Sequence, residues 1–231
     1  MRMRVATHQP IFLPWPGFFY KALHADALVL LDRVQFPTGR GWMHRNRVKS
    51  DQGDYWLRVP VWKTGRGAQI IADVDICNER DWRARQLRGL RELYGHAPYL
   101  SSHLPPIEEI YRRNHRSLLA LNLDLIRYLW GALKLPGTLH LQSELGVAGR
   151  GTELLANVCQ AMKADTYVGL TASEKYVEQQ ILHDCGLDVA FVKFVPPVYP
   201  QLWGSFRYNL STLDLLLNCG PKARDVISQV S

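Results

Sequence analysis

Apolar residues cluster in short runs at both ends of the chain. Arg4–Thr7 and Ala27–Leu31 have the length of strands, and Ala27–Leu31 is apolar at every position. Such a run predicts a strand that is buried on both faces, as in a parallel sheet. Four more segments have strand-like patterns: Tyr55–Trp62 and Gln69–Ile76, which alternate and predict a hairpin, and Thr166–Leu170 and Asp188–Val195.

The middle of the chain has helical spacing instead. Asp81–Tyr94 places apolar residues at helical intervals, and Pro105-Pro106 predicts the start of a longer helix that runs to Trp130. Two helices are predicted at Thr152–Lys163 and Ser173–Asp184. A last one has Ser211 as N-cap and Gly220 just past its end.

Strands and helices therefore alternate at the two ends of the chain. This order predicts an α/β fold with a largely parallel central sheet and flanking helices. We expect one domain over residues 1–231, with an α/β core of about 1–78 and 150–231 and a helical cap or insertion at about 79–145.

Composition excludes several classes of protein. The chain has 231 residues, 47% of them hydrophobic and 21% charged, which is typical of a globular protein and excludes a disordered or collagen-like chain. The longest apolar run is far shorter than the ~18 residues of a membrane span, and the N-terminus lacks a secretion signal. The four cysteines form no CxxC pair, so we expect a cytoplasmic protein with reduced thiols and no metal site.

Positive charge is concentrated near the start of the chain. The formal net charge is +7, and Arg40–Lys49, RGWMHRNRVK, holds four basic residues and no acidic one. Such a cluster attracts phosphates, anionic cofactors or an acidic protein partner. Trp42 lies inside it and could stack on a base, but helix-turn-helix, RNP and zinc-finger patterns are missing, so we expect no nucleic-acid partner.

Candidate chemistry lies where the first two strands end. His8 and Gln9 follow the first strand, and Asp32 and Gln35 follow the second. Ligands of open α/β sheets bind at this rim, where an imidazole oriented by a carboxylate could remove a proton from an amine or hydroxyl. The structural alternative is that His8 braces the proline-rich loop and that Asp32 caps a turn.

Other candidates are binding residues. Arg45, Asn46, Arg47 and Lys49 could clamp a diphosphate, since guanidinium groups match phosphate oxygens. Tyr199 and Gln201 belong to an irregular proline-flanked segment that could line a pocket or simply pack. GxGxxG, Walker A and GxSxG motifs are absent from the sequence, which weakens dinucleotide, ATP-loop and serine-hydrolase interpretations.

One long motif carries a family resemblance. The segment His8–Lys21, HQPIFLPWPGFFYK, resembles the N-terminal signature of the WbqC-like protein family. The resemblance continues in order over essentially the whole chain, through these segments: Ala25-Asp26, Leu31–Phe36, Arg45–Lys49, Tyr167–Leu170, Tyr199–Gln201, Phe206 and Leu210–Gly220.

The resemblance implies a role in building glycoconjugates. Members of the family look like products of lipopolysaccharide O-antigen and secondary-metabolite gene clusters, some of them where an amino sugar carries an aminoacyl group. The chain would then be a transferase that moves an acyl or aminoacyl group from a thioester to an amine, with no tightly bound cofactor. The donor would be an acidic carrier protein with its phosphopantetheinyl arm, or a CoA thioester, and the acceptor a nucleotide-linked amino sugar or related amine.

Our assignment of roles follows from the residues alone. We expect His8 to act as the base, Asp32 to fix its tautomer and Gln9 to steady the oxyanion. Arg45, Arg47 and Lys49 would hold phosphates. Two alternatives stay open: a non-catalytic subunit that binds a carrier or partner, and a nucleotidyltransferase-like enzyme, although Ile11 stands where the HxGH motif of such enzymes has its second His.

Overall fold

The structure is a computed structural model that describes residues 2–37, 39 and 41–229. Its strands, in chain order, are β1 (Arg4–His8), β2 (Ala27–Leu30), β3 (Arg45–Ser50), β4 (Gly53–Arg58), β5 (Thr138–Leu141), β6 (Thr166–Leu170) and β7 (Asp188–Val192). Its α-helices are α1 (Pro16–Leu23), α2 (Trp82–Tyr94), α3 (Leu100–Arg112), α4 (Leu118–Ala132), α5 (Gln142–Leu145), α6 (Gly151–Ala161), α7 (Gln179–Asp184), α8 (Thr212–Cys219) and α9 (Ala223–Ser228). None of the helices in these ranges is long and apolar enough to cross a membrane.

Five of the strands form a parallel sheet in the order β5-β2-β1-β6-β7. Alternate residues of its strands face opposite sides. Val5, Val29 and Tyr167 pack with residues of α6 and α7. Ala6 and Leu28 face the other side, where α1, α4 and α8 lie. The predicted α/β fold with flanking helices is therefore confirmed.

The strand order reverses next to β1. From β1 the chain builds outward through β2 to β5, then crosses back to place β6 and β7 on the other side. In open parallel sheets the ligand crevice lies outside the carboxyl ends of the strands at this reversal. His8 is the last residue of β1, so the topology itself directs attention to it.

Several sequence predictions differ from the structure, among them the helix at Ser173–Asp184, whose first part is a 3-10 helix and whose α-helical part begins at Gln179. Thr138–Leu141 falls inside the predicted helical insertion but forms β5, because it pairs with β2 at the sheet edge. Pro105-Pro106 lies within α3 and opens no new helix; α3 ends before Asn114, which has a φ of 51°. The next helix begins at Ser117, whose side chain accepts a hydrogen bond from the Ala120 N–H.

The hairpin is also displaced along the chain. It pairs β3 with β4, and of the predicted pairing only an isolated bridge between Val61 and Ile76 remains. The β3 sequence RNRVKS lacks the usual alternation of apolar and polar residues. Its buried face consists of Asn46, Val48 and Ser50 rather than of apolar residues alone.

Candidate functional site

A cavity of about 480 Å³ opens at the carboxyl end of β1. His8 and Gln9 belong to its wall, and so does Trp15, which immediately precedes α1. Trp42, Arg47 and Asn209 complete the part of the wall considered below. We call this space the His8 cavity. It lies where the topology of the sheet predicts a ligand.

His8 is held as a neutral hydrogen-bond acceptor. Its Nδ1 lies 2.8 Å from the carbonyl oxygen of Gln9, which can only accept, so Nδ1 carries the proton and Nε2 the lone pair. Among the described residues Nε2 has no hydrogen-bond partner. Burial, together with the charge of Lys21 and against the opposing effect of the Gln9 carbonyl, lowers the pKa of His8 to about 3. The imidazole is therefore uncharged at neutral pH.

Lys21 lies close to this imidazole, and the sequence analysis did not predict it as a site residue. It sits on α1 with only 6% of its surface exposed, and its Nζ donates to the carbonyl oxygen of Thr7 at 2.5 Å. Burial lowers the pKa of Lys21 to about 7. A lysine on a short helix usually points to solvent, so only its place in the His8–Lys21 motif could have indicated a role.

The predicted pair of His8 and Asp32 is not formed. The Asp32 carboxylate is buried and accepts from the N–H of Ser143 at 3.0 Å, in the first turn of α5. A carboxylate at a helix N-terminus satisfies an N–H that has no partner within the helix. Asp32 thus stabilises the contact between the end of β2 and α5. The carbonyl oxygen of Gln9 orients the His8 ring, which is the role that we had assigned to Asp32.

The two glutamines have different positions. Gln9 lines the His8 cavity, and within the described ranges its side-chain amide has no hydrogen-bond partner. Gln35 is exposed, forms a backbone bridge with Ile70 and does not line the cavity. Gln9 therefore remains a candidate for contact with a ligand, whereas Gln35 is placed elsewhere.

Asn46 fixes the loop between β1 and α1. Its Nδ2 donates to the carbonyl oxygens of Phe12 at 3.2 Å and Leu13 at 2.7 Å. Leu13 has a φ of 43°, a left-handed conformation that costs a non-glycine residue roughly 1–2 kcal/mol. Asn122 and Ser211 secure the same loop, through Pro10 O at 2.7 Å and Leu13 O at 2.9 Å. The amide of Asn46 is thus occupied by the protein, although we predicted that it contacts a diphosphate.

A second, basic and aromatic surface adjoins the His8 cavity. The pairing of β3 with β4 sets Arg45 opposite Arg58 and Arg47 opposite Trp56 on one face. With Trp42, whose ring stacks on Trp56 at 5.7 Å, they line a cavity of about 660 Å³. We call this surface the Arg–Trp groove, and it shares Trp42 and Arg47 with the His8 cavity.

The cations of the groove differ in how they are paired. Arg47 contacts the Asp54 carboxylate at 2.5 Å, while the guanidinium carbons of Arg45 and Arg58 lie 4.9 and 5.7 Å from the centre of the Trp56 ring. In the described part of the chain, neither Arg45 nor Arg58 forms an ion pair with an acid. Arg40, also in the basic cluster of the sequence, lies outside the described residues.

Lys49 and Tyr199 belong to a buried cluster around Asp214 and line neither cavity. Tyr199 and Tyr94 both donate their hydroxyl hydrogens to the Asp214 carboxylate, the former at 2.8 Å. Burial raises the pKa of Asp214, and burial lowers that of Lys49 against the attraction of the same carboxylate. Gln201 bonds to the backbone of Arg207 at 2.9 and 3.0 Å. These three predicted binding residues hold the scaffold.

Trp42 and Asn209 are wall residues that the sequence did not identify as ligands. Asn209 has a φ of 55°, which asparagine tolerates better than most residues. Trp42 is 44% exposed, and its place within the basic cluster was the available signal. No group of three or more His, Cys, Asp or Glu side chains suited to a metal ion occurs within residues 2–37, 39 and 41–229.

Comparison with known proteins gives one family. The sequence model of the WbqC-like protein family matches residues 9–226. An uncharacterized protein of Mycobacterium tuberculosis, Rv1507c, is 31% identical over 226 residues, which cover 97% of each of the two chains. No solved structure matches.

Proposed function

Because the chain belongs to the WbqC-like protein family, we propose that it is a transferase that forms an amide from an acyl thioester and an amine. The acceptor is the amine of a nucleotide-linked amino sugar or a related metabolite, as in O-antigen or other glycoconjugate biosynthesis. The donor is a CoA thioester or the phosphopantetheinyl arm of an acidic carrier protein.

One observation carries this proposal: a neutral imidazole lines a cavity that shares wall residues with a cationic groove. The unoccupied Nε2 of His8 can accept a hydrogen bond from the acceptor amine and direct the amine lone pair at the thioester carbonyl. Arg45, Arg47 and Arg58 can hold phosphates by charge-assisted bonds. A reaction between a phosphate-bearing substrate and a neutral amine uses both features.

The proton balance fits a weak base. The amine nitrogen bonds to the carbonyl carbon, and the C–S bond breaks with its electron pair on sulfur. The proton lost by nitrogen ends on the thiolate, whose pKa is near 8.5. With a pKa of about 3, His8 holds that proton only in passing, which suits a relay. The Gln9 amide can donate to the carbonyl oxygen as it becomes negative, a contact worth about 3–4 kcal/mol in comparable sites.

The test is a turnover assay followed by mass spectrometry of the amide product. Nucleotide-linked amino sugars are paired with CoA thioesters and with acyl-loaded carrier proteins, with and without EDTA. We expect amide formation that survives EDTA and falls at least about a hundredfold in His8→Ala. His96→Ala, which removes an exposed histidine, is the matched control.

Three outcomes would overturn the proposal. Turnover that is unchanged in a folded His8→Ala variant would remove the imidazole from the reaction. Release of pyrophosphate that requires Mg²⁺ and ATP, with no amide product, would favour the nucleotidyltransferase alternative. A folded protein that binds a carrier protein but turns over none of the pairs would favour the binding subunit.

A further inference from the structure

A third cavity, of about 460 Å³, lies between the end of β4 and the start of α2. His44 and Trp82 line it, together with four basic side chains: Arg58, Lys63, Arg80 and Arg85. We call it the His44 cavity. Its volume is within the range of about 300–1,000 Å³ that is usual for small-molecule sites.

The positive charge of this cavity is compensated only in part by the protein, since one carboxylate lines it beside four basic side chains. None of its four basic side chains forms an ion pair within the described ranges, although eight such pairs occur elsewhere. The acidic lining residue is Asp81, and its carboxylate accepts from the N–H of Ala84 at 3.1 Å as the N-cap of α2. The basic side chains that line one cavity repel one another, and a bound anion offsets this repulsion.

The contacts of His44 show the same excess of positive charge. Its Nε2 lies 3.4 Å from Lys63 Nζ, which can only donate, so the neutral ring carries its proton on Nδ1. That Nδ1 is buried without a partner among the described residues. Burial, and to a smaller extent the charges of Lys63, Arg45 and Arg58, lower the pKa of His44 to about 4.

The His44 cavity adjoins the Arg–Trp groove through a shared wall residue. Arg58 lines both this cavity and the Arg–Trp groove, and the groove shares Trp42 and Arg47 with the His8 cavity. The three spaces therefore follow one another along the surface. A ligand with phosphates at one end and a reactive group at the other can occupy all three.

We propose that the His44 cavity binds the phosphates of a phosphorylated nucleoside whose other end carries the thioester toward His8. The second half of this statement rests on the function proposed above, whereas anion binding by the cavity does not. The phosphate oxygens replace the missing acidic partners of Lys63 and Arg85 and accept charge-assisted hydrogen bonds.

Isothermal titration with pyrophosphate and with adenosine 3′,5′-bisphosphate tests the site without turnover. The double variant Lys63→Gln/Arg85→Gln removes two cations of the cavity. The control Arg66→Gln/Arg88→Gln removes two exposed cations from the same loop and the same helix, outside the cavity. We expect binding at least tenfold weaker in the first variant and changed less than twofold in the control. Pyrophosphate should also shift the ring resonances of His44.

Several results would overturn the proposal. Equal losses in both double variants would mean unspecific attraction by net charge, and unaltered binding in both would place the anion elsewhere. Absence of binding in the folded wild-type protein would refute the site. Short RNA that binds more tightly than the bisphosphate and is lost with Lys63 and Arg85 would assign the cavity to nucleic acid instead. Bisphosphate binding without amide turnover would retain the anion site and reject the transferase.

Discussion

At the scale of single residues, the burial of His8 and His44 makes the stability of the fold depend on pH. The pKa of His8 is about 3 in the folded protein and about 6.5 in the unfolded chain, because burial disfavours the imidazolium. The unfolded chain therefore binds more protons between these values. The stabilisation is fully present above pH 6.5 and is lost as pH falls toward 3. His44, with a pKa of about 4, acts in the same direction.

We therefore expect the Tm of the wild-type protein to fall between pH 7 and pH 4, and to fall less in His8→Gln. Glutamine keeps a polar group of similar size but takes up no proton. Thermal unfolding at a series of pH values measures the difference. His96→Gln should follow the wild type, since His96 is exposed. A pH dependence that is identical in all three proteins would contradict the assignment.

The contacts of single side chains also explain which residues of the candidate site could be predicted from the sequence. His8 and Gln9 were found because the end of an apolar strand in an α/β pattern marks a ligand rim. Asn46, Lys49 and Tyr199 were assigned to the ligand, yet each is buried; the side chains of Asn46 and Tyr199 bond to the protein, and Lys49 lies beside the Asp214 carboxylate. Whether a polar side chain meets a ligand or its own interior depends on tertiary contacts, which local sequence does not contain.

At the scale of elements, the loop between β1 and α1 is held by buried side chains of β3, α4 and the N-cap of α8. Asn46, Asn122 and Ser211 bond to its carbonyl oxygens. The loop carries Trp15 and follows His8 directly, so these contacts set the shape of the His8 cavity. A loop with two prolines, followed by a third at the start of α1, has few N–H groups of its own and depends on such donors.

Asn46→Ala should therefore destabilise the protein by about 2–4 kcal/mol, because the Phe12 carbonyl oxygen loses its side-chain donor and the Leu13 carbonyl oxygen keeps only Ser211. At this chain length the loss lowers Tm by roughly 2–4 °C for each kcal/mol. Asn78→Ala is the control, since the Asn78 amide also bonds to a carbonyl oxygen but is exposed. A Tm that changes equally little in both variants would show that the clamp is unimportant.

The strands and helices differed in how well their pattern of apolar and polar residues predicted them. The strands β2 and β6 are buried at every residue, and their apolar runs identified them. The helix α8 was located by its cap, Ser211, and by Gly220. In contrast, β3 carries polar residues on both faces, with Val48 as its one apolar residue, and β5 is short and lies at an edge. Neither pattern was therefore strong enough to predict a strand.

At the scale of the whole molecule, the two ends of the chain complete one structure. The helix α9 packs on α1, and the N–H of Thr212 donates to the carbonyl of Pro14 at 2.8 Å. Leu213 and Leu217 of α8 are each 1% exposed, and Leu215 and Leu216 are fully buried. Sequence predicted each end as α/β, but the contact between them spans some 200 residues and has no local signature.

Deleting residues 211–231 should consequently abolish cooperative unfolding. Each buried leucine contributes about 1.5–3 kcal/mol, so the four in α8 together approach the total stability of about 5–15 kcal/mol that is usual for a domain. Calorimetry and near-ultraviolet circular dichroism test this. A sharp transition in the truncated chain would mean that residues 2–210 fold independently of their C-terminal segment.

The buried Lys21 has a consequence for chemical selectivity. With a pKa of about 7, a large share of these side chains are uncharged primary amines at neutral pH, and such amines attack thioesters. In the transferase proposed above, this amine lies close to His8 and would compete with the acceptor amine for the acyl group. The hydrogen bond to the Thr7 carbonyl and the covering protein withhold that amine from the donor. The same packing that creates the reactive form guards against self-acylation.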